Sequence, residues 1–229
     1  MKRAEYADAL RALPSDQLTA YLTANSGLPG PRSNLTLLDA AGDVLPRSLA
    51  LTFVEDPDEY LASCGTVALG QLLLEGDRGM IARLTALAAD ARWRVRESVA
   101  IAAQRVGDQD PPLLRELVAA WTSDPDPLVV RAGIAAVCEP RLLADPATAA
   151  AAIAACQAAT AHLMATPTER RRDAGVRTLR QGLGYCWSVA VAGDPTRGLA
   201  AFAALDTSDP DVAWVVAENR KKKRLIALL

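Results

Sequence analysis

Residues 90–143 have the sequence DARWRVRESVAIAAQRVGDQDPPLLRELVAAWTSDPDPLVVRAGIAAVCEPRLL, and with the helix before them they repeat one local pattern. In each copy an apolar helix leads into a short acidic turn, and a second helix then opens on a Val-Arg step. The two steps, Val95-Arg96 and Val130-Arg131, are 35 positions apart, within the roughly 20–50 residue period of helical repeats. The stretch therefore predicts repeated helix pairs at residues 80–107 and 112–143.

The apolar residues of both copies recur at the spacing of an α-helix. They fall at i, i+4, i+7 and i+11 in the first copy, and the second repeats the opening of that series: Val95, Val99, Ala102, Val106 and Val130, Ile134, Val137. This spacing buries one face of each helix. Because one pair cannot bury that face alone, it needs a stacked neighbour on each side. We therefore expect a single domain over residues 1–229 of about five or six helix pairs, with a terminal cap at residues 209–229.

An acidic turn followed by Val-Arg resembles the HEAT repeat. The chain also resembles uncharacterised bacterial HEAT-repeat proteins at residues 182–187, GLGYCW, and 218–222, ENRKK. This resemblance implies an α-α superhelix in which the turn Asp and the helix Arg are mostly structural and bond across to the next repeat. It implies no activity.

The composition supports an all-α fold. Apolar residues make up 51% of the chain and aromatic residues only 4%, and alanine, the best helix former, is abundant. Runs of β-branched and aromatic residues, which are typical of strands, are missing. The net charge of −2 comes from 25 basic and 27 acidic residues. Such a balance argues against a domain wholly devoted to nucleic acid, although it permits a local basic patch.

Three further features favour a cytoplasmic protein. The N-terminus has no signal-peptide core, and no apolar run of membrane-spanning length is evident, so we expect no membrane association. The four cysteines are far apart in the sequence, at positions 64, 138, 156 and 186, and they are interpreted as reduced core residues. No motif predicts a cofactor or a metal.

Proline marks where helices begin, because seven of the 14 prolines follow an aspartate. An Asp side chain can cap free backbone N–H groups, and Pro at the first helical position loses no hydrogen bond. A capping box is also predicted at residues 166–169. Outside the two repeats, the helices expected are 2–13, 15–24, 35–41, 47–54, 57–75, 146–165, 173–192, 195–205 and 210–228.

The Val-Arg steps suggest a row of arginines, Arg96, Arg131 and Arg177. Such a row could line the concave surface and bind phosphate or an acidic partner. The structural alternative, a ladder of bonds between these arginines and the acidic turns, is favoured because nearby acids are plentiful.

A run of five cations, Arg220-Lys221-Lys222-Lys223-Arg224, lies near the end of the last expected helix. Nucleic-acid binding is one interpretation. The favoured one is a solvated helix end that interacts with the helix dipole.

The four tryptophans divide into two groups. Trp121 and Trp187 fall in phase with the apolar stripes, which predicts core positions. Trp93 and Trp214 lie beside Val-Arg or Val-Val steps, where they could line a shared surface and stack on bases. Covering a helix junction is the favoured interpretation for this pair.

Enzyme activity finds little support in the motifs. HEAT-like repeats also form a class of alkylpurine DNA glycosylases, which use an Asp, aromatic residues and an Arg. Trp121, Asp124, Arg131 and Trp187 are residues of those types, but their spacing does not match that family's motif. His162 is the only histidine, so most triads and metal sites would have to include it.

The function expected is therefore non-enzymatic binding of a protein or peptide on the concave face of a HEAT-like α-solenoid. A few Arg and Trp side chains would anchor the partner. The alternative is nucleic-acid binding, with alkylpurine DNA glycosylase activity as its extreme form.

Overall fold

The computed structural model describes residues 1–229, and it contains α-helices, two short 3-10 segments and no strand. The prediction of an all-α fold is confirmed. The chain divides into two units, Met1–Gln109 and Asp110–Leu229, called here the N-terminal and C-terminal units. The prediction of one continuous repeat domain stays a prediction.

The N-terminal unit contains seven helices. They are α1 (Arg3–Ala12), α2 (Ser15–Ala24), α3 (Leu35–Val44), α4 (Arg47–Val54), α5 (Glu59–Leu74), α6 (Met80–Leu87) and α7 (Trp93–Gln109). Successive odd-numbered helices contact one another, so that α1, α3, α5 and α7 form a row. Helix α5 is the centre of this unit, because 13 of its 16 residues are buried. Helices α4 and α6 both contact α5.

The C-terminal unit also contains seven helices. They are α8 (Pro111–Thr122), α9 (Pro127–Val137), α10 (Pro146–Ala165), α11 (Ala174–Gly193), α12 (Pro195–Ala203), α13 (Pro210–Arg220) and α14 (Lys223–Ile226). Here α9, α11 and α13 form one row, and α8, α10 and α12 form a second. Helix α10 contacts α9 and α11, so the two rows share one core.

Aspartate side chains cap six of the fourteen α-helices. Five helices, α8, α9, α10, α12 and α13, begin with Pro after an Asp whose carboxylate accepts a backbone N–H. This confirms the prediction for the Asp-Pro steps at prolines 111, 127, 146, 195 and 210. Helix α5 starts two residues later than expected, because Asp58 rather than Asp56 caps it.

Two local predictions were wrong. Residues 166–169 form no capping box, and Thr168–Arg170 is a 3-10 turn without a side-chain cap. The last helix is not continuous either, since α13 ends at Arg220 and the chain turns before α14.

Helix α10 is long and apolar enough to cross a membrane by length and composition, with a mean hydropathy of 1.3 over 18 residues. No run of this kind was expected, because its alanines and threonines are only weakly apolar. Half of that window is buried inside the structure, as in the core helices of many globular proteins. The expectation that no segment spans a membrane stays a prediction.

Candidate functional site

The three arginines of the expected row have different surroundings. Arg96 is half-buried and donates to the carbonyl oxygens of Asp90 and Ala91, at 2.5 and 2.9 Å. It therefore closes the turn before its own helix. In the C-terminal unit, the stem of Arg131 packs beside Gly182, where an added Cβ would lie 3.3 Å from the Arg131 Cγ. Arg177 is exposed to solvent.

Other arginines bond to acids at the turns and helix starts. In the N-terminal unit Arg94 pairs with Glu59 at 2.7 Å. In the C-terminal unit Arg171 pairs with Asp209 at 2.6 Å and Arg180 with Asp211 at 2.7 Å. Salt bridges between helices therefore exist, but they use arginines that the sequence pattern did not indicate. The ladder expected of Arg96, Arg131 and Arg177 stays a prediction.

The four tryptophans differ in their exposure to solvent. Trp121 and Trp187 are 1% and 0% exposed, which confirms that they belong to the core. The Trp214 ring is half-buried, with the Arg180 guanidinium 4.5 Å from its centroid. Trp93 is 53% exposed, although Arg94 lies 4.5 Å from its ring centroid. Of the two tryptophans expected at a surface, Trp93 is the more open.

Trp93 lines a groove of about 390 Å³ in the N-terminal unit. The walls come from the loop before α3 and from α3, α5 and α7, and the lining residues are Pro31, Arg32, Ser33, Leu35, Leu38, Tyr60, Ser63, Trp93, Arg94, Glu97, Ser98 and Ile101. We call it the Trp93 groove. Leu35, which also lines the groove, is 60% exposed. Two large apolar side chains that are open to solvent therefore lie in one groove.

Asn34 holds the loop wall of this groove in place. Its side-chain oxygen accepts the Leu37 N–H at 3.0 Å and so caps α3, while its amide donates to Tyr6 and to the Asn25 carbonyl. The Tyr60 hydroxyl donates to the Asn34 carbonyl at 2.7 Å. Burial raises the pKa of Tyr60, so the phenol keeps the proton that this hydrogen bond needs. The groove is thus built before any partner arrives.

The two arginines that line the groove differ in whether they have an acidic partner. Arg94 is paired with Glu59, and its Nε is buried without a hydrogen-bond acceptor. Arg32 is exposed and forms no salt bridge. Apolar area with a few polar groups at its edge is the usual composition of a binding groove. The sequence singled out Trp93 but missed Arg32, Leu35 and Tyr60, which are distant in the chain and follow no repeated pattern.

The basic run 220–224 lies in the C-terminal unit and is only partly neutralised. Lys221 pairs with Glu218, and its hydrogen bond lowers the pKa of that carboxyl. Arg224 lies over Tyr185, with its guanidinium 4.8 Å from the ring centroid and an N–H donated to the hydroxyl at 3.0 Å. Arg220, Lys222 and Lys223 form no salt bridge. The run therefore carries a positive excess.

Three of the four cysteines, distant in the sequence, meet in the core of the C-terminal unit. The sulfur atoms of Cys138 and Cys156 are 3.7 Å apart, and Cys186 lies close to Cys138. All four cysteines are free and buried. No group of His, Cys, Asp or Glu side chains in the chain is arranged to hold a metal ion, and His162 is half-buried on α10.

Comparison of the chain with protein-family models, with curated proteins and with solved structures gives no match.

Proposed function

We propose that this chain is a non-enzymatic, cytoplasmic HEAT-like α-solenoid of about five or six helix pairs that binds a protein or peptide. The rows of next-but-one helices within each unit support the repeat arrangement, because stacking of this kind is how helix pairs cover one another's apolar faces. The four free, buried thiols suit a reducing compartment. The partner surface, expected on the concave face, includes the Trp93 groove.

One observation carries the binding proposal: Trp93 and Leu35 are both exposed and both line the same groove. Large apolar side chains that share an open groove lose contact with water when a partner covers them, and this burial favours association. Tryptophan is also enriched among the residues that dominate binding energy. A partner side chain that enters between Trp93 and Leu35 would bury both.

The mechanism is recognition by shape and a few anchors. An apolar partner side chain would contact Leu38 and Ile101, which also line the groove. Arg32, which forms no salt bridge, would attract a carboxylate near the edge. The loop held by Asn34 needs no rearrangement, so little of the binding energy is spent on ordering it.

The geometry does not favour base excision. Trp121 and Trp187 are buried and cannot stack on an extruded base without unfolding their core. Asp124 accepts the Asp126 N–H at 2.8 Å and so serves the turn before α9. Nucleic-acid binding through residues 220–224 remains an alternative, which salt-dependent binding of an oligonucleotide would support.

The test is selection of random displayed peptides on the immobilised chain, followed by affinity measurement on the enriched peptides. We expect peptides with an apolar anchor whose affinity falls roughly tenfold on Trp93→Ser or Leu35→Ser. Met164→Ser is the matched control, because Met164 is an exposed apolar residue of the C-terminal unit. The proposal is refuted if none of the enriched peptides loses affinity on Trp93→Ser or Leu35→Ser.

A further inference from the structure

A second hollow surface, in the C-terminal unit, has its own chemistry. Two adjoining cavities of about 430 and 420 Å³ share Leu143, Ala144 and Gly193. The first also touches Arg224, and the second touches Asp194 and Arg197. Because the cavities share three lining residues, they form one continuous surface, which we call the Arg224 trough.

The floor of the trough is aliphatic and closely packed. Gly193 ends α11 against Leu143, and a Cβ on Gly193 would lie only 2.7 Å from the Leu143 Cδ1. Val189 and Ala192 of α11 continue the same floor toward Arg224. Such a floor can receive an aliphatic side chain, whose burial is favourable.

The two ends of the trough differ in charge. Arg197 pairs with Asp194 at 3.4 Å, so that end is close to neutral. Arg224 forms no salt bridge, although stacking on Tyr185 and the bond to its hydroxyl hold the guanidinium in place. A positioned guanidinium with free N–H groups suits a carboxylate, which it can bind through two parallel hydrogen bonds. Arg220, Lys222 and Lys223 add positive charge along the same segment.

Two other ligand classes fit less well. The trough is open to solvent, whereas small molecules usually require a pocket that encloses most of their surface. The floor has no aromatic ring for a base to stack on, and Arg224 occupies one face of the neighbouring Tyr185 ring. A peptide needs neither enclosure nor stacking.

We propose that the Arg224 trough docks an acidic peptide segment, with an aliphatic side chain on the Leu143 floor and a neighbouring carboxylate on Arg224. This surface is separate from the Trp93 groove, and the proposal does not depend on peptide binding there.

The experiment uses the full chain and the same displayed random peptides. The enriched peptides are then divided into classes according to the variant that abolishes their binding. We expect one class of enriched peptides to place Asp or Glu beside Leu, Ile or Val. The affinity of that class should fall roughly tenfold on Arg224→Gln and should weaken as salt is added. A second variant, Ala144→Glu, puts a carboxylate at an exposed position of the trough and should also reject these peptides. Arg172→Gln is the matched control, since Arg172 is an exposed arginine of the same unit that forms no salt bridge and lines neither surface, and it should leave this class unaffected.

Each outcome decides between the surfaces. If enriched peptides lose affinity on Trp93→Ser but none loses affinity on Arg224→Gln, the proposal for the Arg224 trough is wrong and the proposal for the Trp93 groove is supported. If every enriched peptide loses affinity on Arg224→Gln and none does so on Trp93→Ser, the proposal for the trough is supported and the proposal for the groove is wrong. A mixed-sequence single-stranded oligonucleotide that binds more tightly than every selected peptide, and that loses affinity on Arg224→Gln, would assign this surface to nucleic acid and overturn the proposal.

Discussion

Arg105 shows how single residues hold the N-terminal unit together. Its side chain is only 7% exposed and bonds to Asp39 and Asp43 of α3, while Arg3 of α1 bonds to the same two carboxylates. Gly42 leaves room for Val67 and for the guanidinium, because an added Cβ would lie 2.5 Å from the Val67 Cγ1 and 3.3 Å from the Arg105 Cζ. A buried cation needs such partners, since an isolated one would be costly. The cluster joins α1, α3 and α7.

Replacement of Arg105 with Gln should lower the free energy of unfolding by about 3 kcal/mol, because partly buried carboxylates lose their main partner. The surface variant Arg3→Gln should cost at most about 1 kcal/mol. Urea denaturation of both variants checks the comparison. Equal losses would show that Arg105 contributes no more than a surface pair.

The same cluster predicts a pH dependence. Burial alone would raise the pKa of Asp43, but hydrogen bonds from Arg3 and Arg105 outweigh it and hold the pKa below its ordinary value. A carboxyl with a depressed folded-state pKa stabilises the fold above its unfolded pKa of about 4 and loses that contribution as the pH falls further. The stability gap between the unmodified chain and Arg105→Gln should therefore shrink below about pH 4. A gap that stays constant down to acid unfolding would contradict this.

The exposure of Trp93 can be measured directly. Trp121 and Trp187 are buried and Trp214 is covered by Arg180, so acrylamide should quench mainly the fluorescence of Trp93. Trp93→Phe should remove most of the quenchable emission, whereas Trp214→Phe should remove little. A peptide bound in the Trp93 groove should reduce quenching in the unmodified chain. Equal quenching in both variants would show that Trp93 is no more accessible than Trp214.

At the scale of helices, the start of α13 depends on Asp209. Its carboxylate accepts the N–H groups of Asp211 and Val212 at 2.9 and 3.3 Å and also pairs with Arg171. Asp209→Ala should lower stability by about 1–2 kcal/mol through loss of the cap. Asp209→Asn, which keeps a capping oxygen, should lose less. Asp206→Ala is the control, because Asp206 bonds to Ser208 in a turn and caps no helix.

The contact between α5 and α7 depends on a close approach at Gly70. A Cβ on Gly70 would lie 2.8 Å from the Ala102 carbonyl oxygen, and backbone cannot move aside as a side chain can. Gly70→Ala should therefore destabilise the chain by about 1–3 kcal/mol, despite the gain of about 1 kcal/mol in helix propensity. Gly182→Ala is the matched control, because it meets only the side chains of Arg131 and Ile134 at 3.3 Å. Thermal unfolding of both variants separates the effects, and equal midpoints would contradict the close contact.

At the scale of the whole molecule, every thiol is enclosed by the packing of its unit. Cys64, Cys138, Cys156 and Cys186 are all buried, and burial raises the pKa of the Cys156 thiol. A thiol-specific reagent should therefore label the native chain slowly and should label all four sites after unfolding. Mass spectrometry counts the labels. Rapid labelling of any cysteine in the native chain would show a mobile or open core at that position.

Residues in the candidate sites were harder to predict than the helices. Trp93 was identified because it adjoins a Val-Arg step, and Arg224 because it belongs to a charge run. Arg32 and Leu35 lie about sixty positions before Trp93. Arg32 belongs to a loop and Leu35 begins α3, and neither position carries a repeat signal. Their common groove arises only when α3 packs on α5 and α5 on α7.

The sequence by itself determined the all-α class, most helix positions and most Asp caps, because these features depend on residues within one helical turn of each other. The tertiary structure decided which arginine meets which acid, which tryptophan stays open and which cysteines adjoin. The physical reason is distance along the chain. Arg94 lies 35 positions from Glu59, and Arg105 lies 66 positions from Asp39. The partners of both arginines are therefore set by how neighbouring helices pack.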